Sequence, residues 1–316
     1  MPFRKQLCMR LSEPLAAAVD ALDEQKAARL EEIRVYAGRN AEFVFSDECR
    51  VTDLRFDTAQ MDSLLAALCG YALYSCEHQI AEGFIPLEGG HRAGVCGRMT
   101  WEDGRWHMNE IVSICIRVSH DIPGASCAVR PCLLDCEGLP WRTLLLGPPG
   151  CGKTTVLRDA AIWLAEEKRL HVAVADEREE LFGTRRNIRM NVLCGSDKAH
   201  MLGMLLRSMA PQVIVTDEIG KPEDADALLD AARCGVGILA SAHARSMEEA
   251  MARSVLQRLF RERVFDRYLL LGHHGRLLGI YDAQGKETEG ERHDELGYGG
   301  DGHGFDQHGG HFALGR

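Results

Sequence analysis

No apolar run in the sequence approaches the ~18 residues that a membrane-spanning helix requires, so none is expected to cross a bilayer. Near the N-terminus Arg4 and Lys5 precede Ser12, Glu13, Pro14 and Asp20, which interrupt any signal-peptide core. The chain is therefore expected in the cytoplasm, neither exported nor embedded in a membrane by itself. Cysteine is plentiful, but its structural motifs are missing. Twelve cysteines scatter from Cys8 to Cys234 without a C-x-x-C pair, and only Cys132 and Cys136 lie close together. They read as reduced thiols of a cytosolic protein. Positive charge is in deficit, with 37 Lys and Arg against 47 Asp and Glu and a net charge of −10. Such a field repels phosphate backbones and anionic lipid, so no stable nucleic-acid partner is expected.

The remainder is the composition of an ordinary globular protein, 46% hydrophobic and 27% charged. At roughly 100–200 residues per domain, 316 residues allow two domains. From Ser12, an N-cap residue type, to about Leu30, the apolar Leu15, Val19 and Leu22 recur at helical spacing. Strands follow near residues 32–36 and 41–45, and Asp57 caps a helix whose Met61, Leu64, Leu65 and Leu68 form a core-facing stripe. Gly89-Gly90 and Asp103-Gly104 are turn dipeptides flanking apolar or alternating stretches, the pattern of antiparallel β-structure, and residues 112–118 add a strand. Residues 1–125 thus read as a small α+β domain. Pro123-Gly124, Pro131 and Gly138-Leu139-Pro140 mark a linker over 126–140. Over 141–284, strands at 141–146, 171–175, 213–216 and 238–242 alternate with helices, which predicts an α/β domain with a parallel sheet. Residues 285–316 hold ten glycines and four histidines with almost no aliphatic side chains, so they are expected to form a disordered tail.

Gly147-Pro148-Pro149-Gly150-Cys151-Gly152-Lys153-Thr154 matches the phosphate-binding pattern G-x-x-x-x-G-K-[ST]. A strand precedes it and a helix follows from Thr154 and Thr155, so backbone N–H groups and the helix N-terminus converge on an anion. Lys153 would reach the β- and γ-phosphates of ATP, and the Thr154 hydroxyl would coordinate Mg²⁺. Cys151 reads as a small residue filling its slot. Downstream, Val213-Ile214-Val215-Thr216 ends in Asp217-Glu218, an acidic pair at the carboxyl end of a buried strand. Asp217 would hold Mg²⁺ through water, and Glu218 would orient and deprotonate the attacking water. Two more strand ends aim at the same cleft. One carries Asp176-Glu177-Arg178, with Glu177 the alternative base, and the other carries Ser241-Ala242-His243. His243 would contact the γ-phosphate or sense its loss, or serve the fold alone. Arg185, Arg186 and Arg189 stay open between a solvated face and a transition-state clamp on a neighbouring subunit's nucleotide.

This order of phosphate loop, Asp box, acidic strand end and His box resembles the hexameric secretion ATPases of type II and type IV pilus systems. Closer still is the resemblance to the stage III AA sporulation ATPases of endospore-forming bacteria. It rests on Glu88-Gly89-Gly90-His91-Arg92-Ala93-Gly94-Val95-Cys96-Gly97-Arg98, Ile116-Arg117-Val118, the phosphate loop through Thr155, residues 205–213 around Arg207, and Cys234-Gly235-Val236-Gly237. The resemblance implies a RecA-like P-loop ATPase domain behind a smaller α+β domain. It also implies a ring of six subunits, and peripheral attachment to membrane-embedded components of a channel joining mother cell and forespore. A helicase or nucleic-acid translocase, and a scaffold that assembles on ATP without hydrolysing it, are the rival readings. The tail belongs to no motif of this family, and no LSGGQ signature marks a transporter ATPase.

Overall fold

The computed structural model describes residues 2–182 and 188–288. Three short helices open the chain, α1 (Pro2–Cys8), α2 (Glu13–Asp20) and α3 (Glu24–Arg29). The single helix expected between Ser12 and Leu30 is thus two, because Asp23 turns extended and its carboxylate accepts the Lys26 N–H at 2.7 Å, starting a new helix. Strands β1 (Leu30–Tyr36), β2 (Asn40–Phe45) and β3 (Cys49–Arg55) lead into α4 (Thr58–Leu68) and α5 (Leu73–Ala81). Asp57 and Gln60 close a reciprocal capping box at the start of α4, with Met61, Leu64 and Leu68 buried beneath. Strands β4 (Phe84–Leu87), β5 (His91–Glu102) and β6 (Arg105–Arg117) complete an antiparallel sheet ordered β3-β2-β1-β6-β5-β4. Asp103 and Gly104 join β5 to β6 with φ of 50° and 77°, the positive values that a two-residue hairpin turn demands.

The second sheet begins with β7 (Thr143–Gly147), followed by α6 (Lys153–Glu166), β8 (Val172–Asp176), β9 (Asn191–Cys194) and α7 (Lys198–Met209). Then come β10 (Val213–Glu218), α8 (Pro222–Arg233), β11 (Gly237–His243), α9 (Met247–Ala252), α10 (Ser254–Arg261), β12 (Arg267–Leu271) and β13 (Leu277–Asp282). Its order is β13-β12-β7-β11-β10-β8-β9, parallel throughout except for the antiparallel β12–β13 pair at one edge. Strands β7 and β8 are buried along their whole length, the mark of a parallel sheet covered on both faces. One face, with Leu145, Val174 and Val215, packs on α6 through Val156, Leu157 and Leu164. The other, with Leu144, Ala175 and Ile214, packs on α7, α8 and α10 through Leu202, Leu228 and Leu259.

The stretch between the sheets is packed. Ser126, Val129, Cys132 and Leu133 are buried, the last three in the core formed with α6. Asp159 of α6 accepts from the N–H groups of Gly124 (3.0 Å) and Ser126 (2.9 Å) and pairs with Arg130 at 3.3 Å. Pro and Gly in this segment bend the chain around α6; they do not free it. The histidine-bearing tail, apart from residues 285–288, lies outside the described residues.

Candidate functional site

The phosphate loop, the acidic pairs and His243 sit at the carboxyl ends of the parallel strands. Leaving β7, the chain turns through Gly150 and Gly152, the latter at φ 100°, into α6. A Cβ on Gly147 would lie 2.6 Å from the Cys151 sulfur and 2.8 Å from the Leu271 carbonyl oxygen. One on Gly152 would lie 3.1 Å from the backbone nitrogen of Gly275. The loop is therefore glycine-bound by contact as well as by dihedral. Buried Cys151 plugs its underside and accepts the Gly275 N–H at 2.6 Å, so the turn at His273–Gly275 braces it from outside.

Inside this loop the ammonium of Lys153 donates to the carbonyl oxygens of Gly147 (2.9 Å) and Pro148 (2.8 Å) and lies 2.9 Å from Nδ1 of His243. An ammonium has three donors, and these three acceptors use them all. Burial lowers its pKa from the ordinary lysine value, against the opposing charges of Cys151 and Glu218. His243 is in reach because β7 and β11 pair with His243 opposite Gly147. The other ring nitrogen, Nε2, stands 2.9 Å from Oε2 of Glu218. With Lys153 donating to Nδ1, the ring proton resides on Nε2 and is donated to Glu218. Arg253 donates to the His243 carbonyl and pins its backbone.

Asp217 and Glu218 do not share this cleft. Pairing between β10 and β11 runs Val215 with Leu239 and then Glu218 with Ser241, three steps against two, so β10 bulges. A bulge reverses the alternation of faces beyond it. Glu218 therefore falls on the face of Val215 and the phosphate loop, and Asp217 turns toward α7 and α8. There Lys198 waits, 3% exposed, with Nζ 2.6 Å from Oδ1 of Asp217, 3.3 Å from Oε2 of Glu177 and 4.0 Å from Oδ2 of Asp224. The same ammonium donates to the main-chain oxygen of Glu218. Lys221 closes the group, 2.6 Å from Oε1 of Glu177. Burial pushes the Asp217 carboxyl up to about 6, helped by Asp176 and Glu177 and opposed by Lys198. Burial acts on Glu177 in the same sense, but the hydrogen bonds and charges of Lys221 and Lys198 outweigh it and hold that carboxyl below the usual range.

Asp217, read from sequence as a magnesium ligand, and Glu177, read as an alternative base, are both engaged by Lys198 in this structure, on the face of the sheet toward α7 and α8. Asp176 is fully buried and accepts the N–H groups of Leu181 and Phe182, closing the turn after β8. Arg189 donates to the carbonyls of Ala165 (2.7 Å) and Leu170 (3.2 Å), at the C-terminal end of α6. Helix C-termini attract cations, and at ~1.5 Å per residue this end lies about 18 Å from Lys153. In this structure its guanidinium bonds within its own chain, while Arg185 and Arg186 lie outside the described residues. Lys198 was missed from sequence. The signal was a cation in the first turn of an apolar-striped helix, where the helix dipole disfavours it unless an anion is close.

Comparison with known proteins settles the family. Residues 4–288 match the family described as sporulation stage III, protein AA. The chain belongs to the sporulation stage III protein AA family. It is 35% identical over 290 residues to the stage III sporulation protein AA of Bacillus subtilis strain 168, covering 87% of this chain and 94% of that protein. Among solved structures, the ATPase DotB of Legionella pneumophila superposes with a TM-score of 0.54 at 14% identity, over 80% of this chain and 77% of DotB. The pilus retraction motor PilT with bound ADP gives 0.54 at 16% identity, over 82% and 76%. This stage III AA family member therefore has the RecA-like fold of secretion ATPases, with a smaller sheet domain ahead of it. No helix among the described residues is long and apolar enough to cross a membrane.

Proposed function

We propose that the protein is a Mg²⁺-dependent ATPase whose ring of six subunits powers a membrane-bound secretion or channel complex during endospore formation, docked on membrane-embedded components of that complex. The observation that carries this reading is the hydrogen-bonded chain from Lys153 through His243 to Glu218, which ties the phosphate loop to a carboxylate able to take a proton. A β- or γ-phosphate offers the ammonium stronger, charged acceptors than the carbonyls of Gly147 and Pro148. When Lys153 swings to them, Nδ1 of His243 is released while Nε2 still holds Glu218 in place. Glu218 then receives the proton of the attacking water. The Thr154 hydroxyl, in the first turn of α6, would supply an oxygen to magnesium, while Asp217 is paired with Lys198 in this structure. Magnesium, arriving on the nucleotide, would act as a Lewis acid on the phosphoryl oxygens.

Two substitutions test the scheme with a fluorescent ATP analogue and a phosphate-release assay. Lys153→Ala is expected to abolish tight ATP binding, and unchanged affinity would remove Lys153 from the site. Glu218→Gln is expected to bind ATP while turning over at least ~10²-fold more slowly, since an amide cannot accept the proton. Wild-type rings that bind ATP without releasing phosphate would instead identify a scaffold, and strong stimulation by single-stranded DNA would identify a translocase.

A further inference from the structure

Four groups from three elements meet at one buried cation carried by a fourth. Lys198 opens α7, Glu177 follows β8, Asp217 and the carbonyl of Glu218 end β10, and Asp224 lies in the first turn of α8. Asp224 also accepts the N–H groups of Gly220 and Lys221, both at 3.0 Å, so it shapes the turn directly after Glu218. Lys198 grips β10 on both sides of one peptide: the Asp217 side chain and the Glu218 main chain. Those two residues are the ones whose faces the bulge exchanges.

We propose that Lys198 is a positioning residue for Glu218: its ammonium clamps the bulge of β10 and thereby aims the Glu218 carboxylate at His243 and the phosphate loop. The inference rests on the ATPase reading for its effect on turnover, while the aim of Glu218 is a structural statement independent of hydrolysis. Without the ammonium, Asp217, Glu177 and Asp224 face one another with no buried cation, and Asp217 is driven from its place. The strand loses the hold that keeps its last two residues exchanged, and Glu218 leaves His243.

The test uses the full-length protein and Lys198→Met, which keeps the length of the side chain without its charge. Expected are a kcat lowered at least ~30-fold, a KM for ATP and an affinity for the fluorescent analogue within about threefold of wild type, and loss of the His243 Nε2–H···Glu218 signature in imidazole ¹⁵N–¹H spectra of the nucleotide-free protein. Because Lys198→Met strands buried carboxylates and lowers stability, the double variant Lys198→Met/Asp217→Asn is made alongside it. It should regain melting temperature and still show the low kcat and the altered imidazole. Recovery of kcat together with melting temperature would show that Lys198 only supports the fold and would overturn the proposal. So would a Lys198→Met protein whose His243 spectrum matches wild type. Wild-type protein that releases no phosphate, with the imidazole signature present and lost in Lys198→Met, would sink the ATPase reading and leave the aiming role standing.

Discussion

Asp217 illustrates how much a single side chain's surroundings decide here. Its folded pKa of about 6 lies above the ordinary carboxyl value of 3.8, because burial penalises the charge. A raised carboxyl binds its proton more tightly in the folded state than in the unfolded one. Its contribution to stability is thus full below pH ~4 and is lost as pH rises through about 6. Asp217→Asn cannot titrate. The stability of wild type relative to this variant should therefore fall by up to about 3 kcal/mol between pH 4 and pH 7, measured by denaturant melts at each pH. A constant difference across that range would mean that Lys198 keeps Asp217 ionised throughout. Lys153 is the counterpart on the other face, an ammonium whose three bonds are all internal.

Among the elements, α6 carries the most. Its first turn follows the glycine-rich loop, and its second turn holds Asp159, which anchors the segment joining the two sheets. Burial raises the Asp159 carboxyl, but the Ser126 hydroxyl, two backbone N–H groups and Arg130 outweigh it and leave its pKa below the usual value. Asp159→Asn should cost about 1.5–3 kcal/mol, the range for hydrogen bonds to a charged group, in a urea titration. A loss below ~0.5 kcal/mol would show that the buried Val129 and Leu133 hold this segment alone. The sequence made α6 and the four buried parallel strands legible because their apolar runs and the glycine pattern are local signals. It also showed Asp57 as a cap and Asp103-Gly104 as a turn. It hid the break at Asp23, where a short cap replaces a longer helix. The bulge in β10 was hidden as well, because nothing in Val-Ile-Val-Thr-Asp-Glu announces a change of parity that arises from pairing with β11. The packed state of residues 126–133 was masked by proline and glycine, whose punctuation does not say whether a bent chain is free or buried.

For the molecule as a whole, Arg158 is the joint. It is 4% exposed and donates to the carbonyls of Leu181 (2.6 Å), Glu180 (2.5 Å) and His120 (3.3 Å), with Asp121 at 3.3 Å. Glu180 in turn pairs with Arg92 of the first sheet at 3.0 Å. One helix thus touches the loop after β8, the connecting segment and, through Glu180, the first domain. Arg158→Met should lower stability by about 3–5 kcal/mol, as breaking a buried charged network does, and should split calorimetric unfolding into two transitions. A single transition at a lower temperature would show that the domains stay coupled by other contacts. Chain order adds a consequence for the protein as it is being made. Strand β7, which leads into the phosphate loop, lies between β11 and β12, and the brace at Gly275 comes later still. The first sheet is complete at Arg117 and has all its strands while the ribosome is still working. The glycine-rich loop after β7 cannot take its shape until more than a hundred further residues have emerged, so a nascent or prematurely ended chain carries the motif without the strands and the brace that shape it.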